Sequence, residues 1–167
     1  MRRLQIGHRL ALWLAVAGIT LAAGLVFWLQ AEPRADVLAG HALFKGRPPP
    51  GAAPVDARLV GHTLPLPALA WRCSNCHDEA QRTAIAPEPG VSGQRSGERF
   101  ARALDGTSLT QWRARRGGPP SRYTETALCA LLRTGIDPAQ VMIDTTMPRY
   151  QLSDAQCGQL WKYLQTR

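Results

Sequence analysis

The chain has 167 residues, of which 7% are aromatic, while Gly and Pro occupy 15 and 13 positions. This length allows a membrane segment and one domain of about 100–130 residues with a thin side-chain core. The formal net charge is +8, which would suit a nucleic-acid partner. However, the sequence contains no helical stripe of Lys and Arg and no known nucleic-acid-binding motif, so we expect no nucleic acid among its partners.

A long uncharged stretch follows the basic N-terminus. Residues 10–29 carry no charge, and a helix of that length spans about 30 Å, the thickness of the hydrocarbon core of a bilayer. The best signal-peptide cleavage site, after Ala31, is poor because the large Leu29 stands at the third position before the cut. The sequence therefore predicts a cytoplasmic basic N-terminus at 1–9 and a transmembrane anchor or uncleaved signal at 10–30.

The distribution of charge predicts where the rest of the chain lies. Because Lys and Arg stay on the cytoplasmic side, Arg2, Arg3 and Arg9 indicate that the chain after Glu32 is exported. We therefore expect a single-pass protein of the inner (cytoplasmic) membrane of a bacterium, with residues 36–167 in the periplasm. That compartment is oxidising, which favours disulfides.

Two segments precede the central motif of the chain. Asp36 can cap a short helix that reaches Phe44 and places Gly40 and Phe44 on one face. Prolines then occur repeatedly between residues 45 and 67, where no helix can continue. We expect this part of the chain to be extended and to wrap a surface.

The central motif is Cys-Ser-Asn-Cys-His at residues 73–77, the pattern of a c-type haem attachment site. Cys73 and Cys76 can each form a thioether with one vinyl group, and His77 then lies under the iron as its proximal ligand. A structural zinc site would need a second ligand pair, which the sequence lacks. A thioredoxin-like redox pair would follow a strand rather than a proline-rich stretch. The motif predicts one covalent haem c, with chance occurrence of a short pattern as the other interpretation.

Several further elements are predicted after the motif. Gly and Pro indicate loops and turns, and capping residues indicate where helices begin. The elements are a loop at 83–97, a helix from Ser96 to about Leu104, a basic turn at 111–120, a helix from Thr124 to Thr134 ended by Gly135, and a final helix opened by a capping box at 153–156.

This arrangement resembles a class I c-type cytochrome over roughly residues 36–167. The resemblance is carried by Gly40 and Phe44 in the first helix, Cys73, Cys76 and His77 in the motif, and Met147-Pro148 before the helix with Trp161 and Tyr163. It implies that the first and last helices cross with Gly40 and Phe44 against Trp161 or Tyr163. The predicted fold is therefore all-α, a small cytochrome c-like helical domain around one covalent haem, preceded by a single N-terminal transmembrane helix. One departure is the 28 residues between Phe44 and Cys73, where the family has only a few.

Four residues are candidates for the sixth ligand of the iron: His41, His62, Met142 and Met147. Met142 stands in an apolar turn and is predicted to belong to the core, and the helix face beside His41 is needed for packing. His62 is the main alternative, because its proline-rich segment can wrap the haem. Met147 is held in an extended conformation by Pro148 and stands where the resemblance places the ligand. We predict His77 and Met147 as the metal ligands.

The ligands determine the expected chemistry. With both axial positions filled, one-electron transfer is the reaction that the haem supports. The resemblance thus implies an electron carrier rather than an enzyme, with redox partners such as a membrane dehydrogenase or a terminal oxidase. One alternative is a ligand binder, sensor or peroxidase-like site with an open sixth position. Another is an assembly subunit of a larger respiratory complex.

Two expectations concern residues outside the haem motif. Cys129 and Cys157 are the cysteines left over, and such a pair in an exported domain usually forms a disulfide, although each is also compatible with a free buried thiol. Four arginines can surround the haem edge and attract an acidic partner. They are Arg113, Arg115, Arg116 and Arg149. For the first three, the alternative is a solvated loop.

Overall fold

The computed structural model describes the backbone of residues 2–49, 51–78 and 104–167. The loop predicted at 83–97 and most of the helix predicted from Ser96 to Leu104 lie outside these residues. The chain divides into two compact units, Met1–Ala35 and Asp36–Arg167.

The first helix, α1, runs from Arg2 to Phe44 and contains Pro33. The helix predicted from Asp36 is therefore the last part of a longer one, and Asp36 forms an ion pair with Lys162 at 2.5 Å rather than capping an N-terminus. α1 continues through Pro33 although an interior proline removes a hydrogen bond and crowds the preceding turn.

The prediction of a transmembrane helix is wrong. Among the described residues, no helix is long and apolar enough to cross a membrane. The same finding overturns the predicted localisation as a single-pass protein of the inner membrane with a periplasmic domain.

Five shorter helices follow α1 in the described part of the chain. They are α2 (Ala68–Trp71), α3 (Ser74–His77), α4 (Gly106–Thr110), α5 (Glu125–Thr134) and α6 (Asp154–Leu164). Local capping defines the last two. Thr124 accepts a hydrogen bond from the Ala127 amide at the start of α5, and Gly135 ends it with φ of 80°. Ser153 and Gln156 form the predicted capping box of α6.

The all-α prediction is wrong as well, because four short strands are present among the described residues. These are β1 (Asp56–Arg58), β2 (Arg113–Ala114), β3 (Pro120–Ser121) and β4 (Arg149–Gln151). β1 pairs antiparallel with β4 and places Ala57 opposite Tyr150, and β2 pairs antiparallel with β3. The physical reason is that the proline-rich segment and the chain after Pro148 are both extended, so their free backbone groups can pair.

The core of the second unit lies where the end of α1 meets α6. Phe44 and Leu164 are fully buried. A Cβ on Gly40 would overlap the backbone of Gln159 and approach the Cβ of Tyr163, and the rings of Phe44 and Tyr163 are 5.5 Å apart. The helix crossing expected from the resemblance is present, and its aromatic partner is Tyr163.

The disulfide expected between Cys129 and Cys157 is also present. It joins α5 to α6, with the two Cα atoms 5.6 Å apart. Both cysteines are buried on the facing sides of these helices. The segment between the helices, which contains Met147, is therefore held at both ends.

Candidate haem-binding site

The motif forms a single helical turn. Cys73 is the N-cap of α3, and its carbonyl accepts a hydrogen bond of 2.9 Å from the His77 amide. Residues at i, i+3 and i+4 share one side of a helix, so Cys73, Cys76 and His77 lie on the same side of this turn. Cys73 is half-buried, Cys76 is exposed, and both thiols are unpaired.

The turn is fixed by a residue inside the motif that sequence reasoning missed. The side-chain nitrogen of Asn75 donates a hydrogen bond of 2.8 Å to the carbonyl of Leu69. Its side-chain oxygen accepts a hydrogen bond of 2.6 Å from Nε of Arg72. Asn75 thus joins α3 to α2. The signal was available in principle, because Asn commonly bonds nearby backbone groups in turns.

The residue after the motif connects it to both ends of the unit. The Asp78 carboxylate forms an ion pair with Lys45 at 2.5 Å and lies 3.8 Å from the guanidinium of Arg167. Arg167 also stacks 4.6 Å from the centroid of the Phe44 ring. The C-terminal end of the haem motif is therefore tied to the helix crossing, which the sequence alone did not indicate.

The N-terminal end of the motif packs against β4. Tyr150 donates 2.7 Å from its hydroxyl to the carbonyl of Trp71, and the two rings meet edge to face at 6.1 Å. Burial raises the pKa of Tyr150 well above its usual value. Burial also raises the pKa of the Cys73 thiol to about 11, so the thiol is protonated at neutral pH.

Apolar side chains from several elements form the wall beside Cys73. They line a small cavity of about 10 Å³ together with this thiol. The lining residues are Leu43, Trp71, Leu132, Tyr150, Leu152 and Leu160. All six of these side chains are buried, so Cys73 borders the apolar core.

The structure places Met147 in the turn just before β4. It is half-buried and packs against the main core. Three residues later, Tyr150 bonds to Trp71 and lines the cavity beside Cys73, so the fold brings the Met147 segment and the haem motif to one core. The assignment of Met147 as a ligand stays a prediction.

The other three ligand candidates lie in different surroundings. His41 is exposed and packs 5.1 Å from the ring of Tyr163. His62 is exposed in a loop at 59–66, where it lines an open cavity. Met142 is 66% exposed, so its predicted place in the core is wrong. The reason is that Met142 pairs with Ile136 in an isolated β-bridge, which leaves its side chain on the outer side of the turn.

The donor set fits a haem better than a bare metal ion. Within the described ranges, no three side chains of His, Cys, Asp or Glu cluster so that they could hold a metal ion, whereas zinc takes about four protein ligands. A haem brings its own four nitrogens and needs the protein for the axial positions. The two unpaired thiols on the turn could attach a haem covalently, and His77 could supply one of the two axial ligands.

Three of the four arginines expected around the haem edge are committed to backbone carbonyls. Arg115 donates to Leu109 at 3.1 Å, Arg113 donates to Ser108, and Arg149 donates to Met147 at 2.6 Å. Arg116 has a side chain 52% exposed and lies 3.9 Å from the buried Asp137. These bonds restrict the side chains but leave their positive charges in place, so the docking of an acidic partner stays a prediction.

No protein-family model, curated protein or solved structure matches the chain. A proposal about the class of protein therefore rests on the site alone.

Proposed function

We propose that the protein is a one-electron carrier with a single haem c, attached through Cys73 and Cys76 and ligated by His77 and Met147. The observation that carries the proposal is the arrangement of the two unpaired thiols and His77 on one helical turn beside an apolar wall. When bound with both axial positions filled, the haem supplies one-electron transfer. The partners are redox proteins such as a dehydrogenase or a terminal oxidase.

The surrounding residues support this role by holding the site in place. The motif is bonded to α2 through Asn75. On either side of it, Asp78 pairs with Lys45 beside the helix crossing and Trp71 is bonded to Tyr150 of β4. Groups that are already positioned do not have to reorganise when charge changes nearby. A site fixed at both ends of the motif suits a carrier that gains and loses an electron repeatedly.

The first experiment tests covalent attachment. The full chain is produced in a host that attaches c-type haem, denatured, and analysed by mass spectrometry and by its alkaline pyridine spectrum. We expect a mass increase of one haem and the spectrum of a haem with two thioethers. The variant Cys73→Ala/Cys76→Ala loses both signals, whereas the control Cys129→Ala/Cys157→Ala keeps them. A wild-type chain of unmodified mass would overturn the proposal.

The second experiment tests the sixth ligand. Met147→Ala is expected to lose the sulfur-to-iron charge-transfer band of the ferric spectrum and to lower the reduction potential, because a thioether favours ferrous iron. Met142→Ala is the matched control, since its side chain lies largely in solvent, and it leaves both properties unchanged. If Met147→Ala keeps the band, another residue holds the iron. If the wild type is high-spin and binds exogenous ligands readily, the sixth position is open.

A further inference from the structure

The turn that presents Met147 is closed by a single guanidinium group. Nη1 of Arg149 donates 2.6 Å to the carbonyl of Met147, and Nη2 approaches the carbonyl of Ile143 at 3.3 Å. One planar side chain thus joins both ends of the segment 143–147. Hydrogen bonds to a charged donor are about twice as strong as neutral ones, so this bridge is a large part of what holds the turn.

The bonds inside the turn are local. The Met147 amide donates 3.3 Å to the carbonyl of Asp144, and the Asp144 side chain accepts 2.8 Å from the Thr146 amide. Neither bond connects Met147 to another element. Arg149 does make such a connection, because it belongs to β4 and stands opposite Arg58 of β1 in the sheet.

Gly135 provides the space that the guanidinium occupies. A Cβ at this position would overlap the guanidinium of Arg149. The carbonyl of Gly135 also accepts 2.8 Å from the Ile143 amide, so the end of α5, the turn and Arg149 form one bonded unit. The requirement for glycine is therefore twofold, because φ is 80° here and the guanidinium leaves no room for a side chain.

We propose that Arg149, packed on Gly135, is a positioning residue that holds the Met147 sulfur in reach of the iron by fixing the backbone of residues 143–147. The inference rests on the proposed function, because it assigns a role relative to the sixth ligand. Arg149 is not itself a candidate ligand. With a haem bound, loss of Arg149 would make Met147 easier to replace by another ligand.

The chain offers a matched pair of glycine variants for the test. Gly135 and Gly117 have nearly equal φ values of 80° and 78°, but a Cβ at Gly117 meets nothing within 4 Å. Gly135→Ala and Gly117→Ala therefore both place a Cβ at nearly the same positive φ, and only Gly135→Ala displaces the guanidinium. Arg149→Met removes the bridge directly, and Arg149→Lys keeps the charge without the planar fork.

The experiment uses the full chain loaded with haem. Covalent haem content, the temperature at which the sulfur-to-iron band disappears, and the affinity for added imidazole are measured for each variant. We expect wild-type haem content throughout. Arg149→Met and Gly135→Ala should lose the band at lower temperature and bind imidazole about 10- to 100-fold more tightly, as loss of one or two charge-assisted hydrogen bonds predicts. Arg149→Lys should be intermediate, and Gly117→Ala should match the wild type.

The outcomes separate this inference from the proposed function. A wild type without haem or without the sulfur band contradicts the proposed ligation and removes the role of Arg149 with it. A wild type with both, together with unchanged imidazole affinity in Arg149→Met and Gly135→Ala, overturns the role of Arg149 alone. Equal effects of Gly135→Ala and Gly117→Ala would also overturn it, since strain rather than displacement of the guanidinium would then be responsible. If Arg149→Met does not fold, Arg149→Lys and the glycine pair decide.

Discussion

The Tyr150 hydroxyl donates a 2.7 Å hydrogen bond to the carbonyl oxygen of Trp71, 79 positions earlier in the chain. Tyr150 follows Met147 by three residues, and Trp71 precedes Cys73 by two. This bond therefore links the segment of the predicted sixth ligand to the haem motif. Both residues are buried, so water does not compete for the bond.

Removing the Tyr150 hydroxyl should destabilise this link. Tyr150→Phe keeps the ring against Trp71 but leaves a buried carbonyl without its donor, which costs about 1–3 kcal/mol of unfolding free energy. Urea unfolding followed by far-UV circular dichroism measures the change. Tyr163→Phe is the control, because it keeps the ring contacts with Phe44 and His41, and it should change the unfolding free energy by less than half as much. Equal changes in the two variants would contradict the role given to the Tyr150 bond.

The disulfide between Cys129 and Cys157 should contribute strongly to stability. Its sequence separation of 28 corresponds to about 3–4 kcal/mol in the chain-entropy model. Cys129→Ala/Cys157→Ala should lower the urea midpoint accordingly, and addition of reductant should lower the midpoint of the wild type but not of the double variant. A wild type whose midpoint does not respond to reductant, with two free thiols at positions 129 and 157 by mass spectrometry, would show that the bond is not formed.

The helix crossing should depend on the absence of a side chain at Gly40. Gly40→Ala places a methyl group into the backbone of Gln159, and such overpacking typically costs about 1–3 kcal/mol. Gly24→Ala, in the same helix but with open space around it, should leave the unfolding of the unit Asp36–Arg167 unchanged. Thermal unfolding of both variants tests this. A Gly40→Ala protein as stable as the wild type would mean that α6 can move away without loss.

Asp105 should give a pH-dependent contribution to stability. It caps α4 by accepting 2.6 Å from the Ser108 amide, and hydrogen bonds from Ser108 hold the pKa of Asp105 below its usual value. A carboxyl whose pKa is lower in the folded than in the unfolded chain stabilises the fold above its unfolded value, and this contribution disappears as pH falls through the folded value. We therefore expect Asp105→Ala to cost about 1 kcal/mol at pH 7 and progressively less below about pH 4.

Thr124→Ala provides the uncharged comparison for Asp105→Ala. Thr124 caps α5 through its hydroxyl, which accepts 3.2 Å from the Ala127 amide. Its loss should also cost about 1 kcal/mol, but the cost should be the same at pH 7 and pH 3, since a hydroxyl does not titrate there. Urea unfolding at both pH values measures the two variants. A cost of Asp105→Ala that does not change between them would show that the Asp105 charge is not what stabilises the cap.

The sequence by itself determined those features that depend on residues close together in the chain. The bounds of α5 and α6 follow from Thr124, Gly135 and the box at 153–156, because capping involves groups within one turn. The spacing of Cys73, Cys76 and His77 was likewise visible in the sequence, and the helical turn of the structure places the three residues on one side. The pairing of Cys129 with Cys157 followed from counting the cysteines, and their helices face each other as the apolar patterns indicated.

Only the tertiary structure decided how distant segments meet. β1 and β4 are three residues each and lie some 90 positions apart, so neither shows a period that predicts a sheet. The uncharged run in α1 predicted a membrane span, and the structure of the described residues contradicted that prediction. Polar side chains such as Asp78 and Tyr150 bond the groups that the fold places within reach. A sequence pattern cannot show these contacts, because the partners are far apart in the chain.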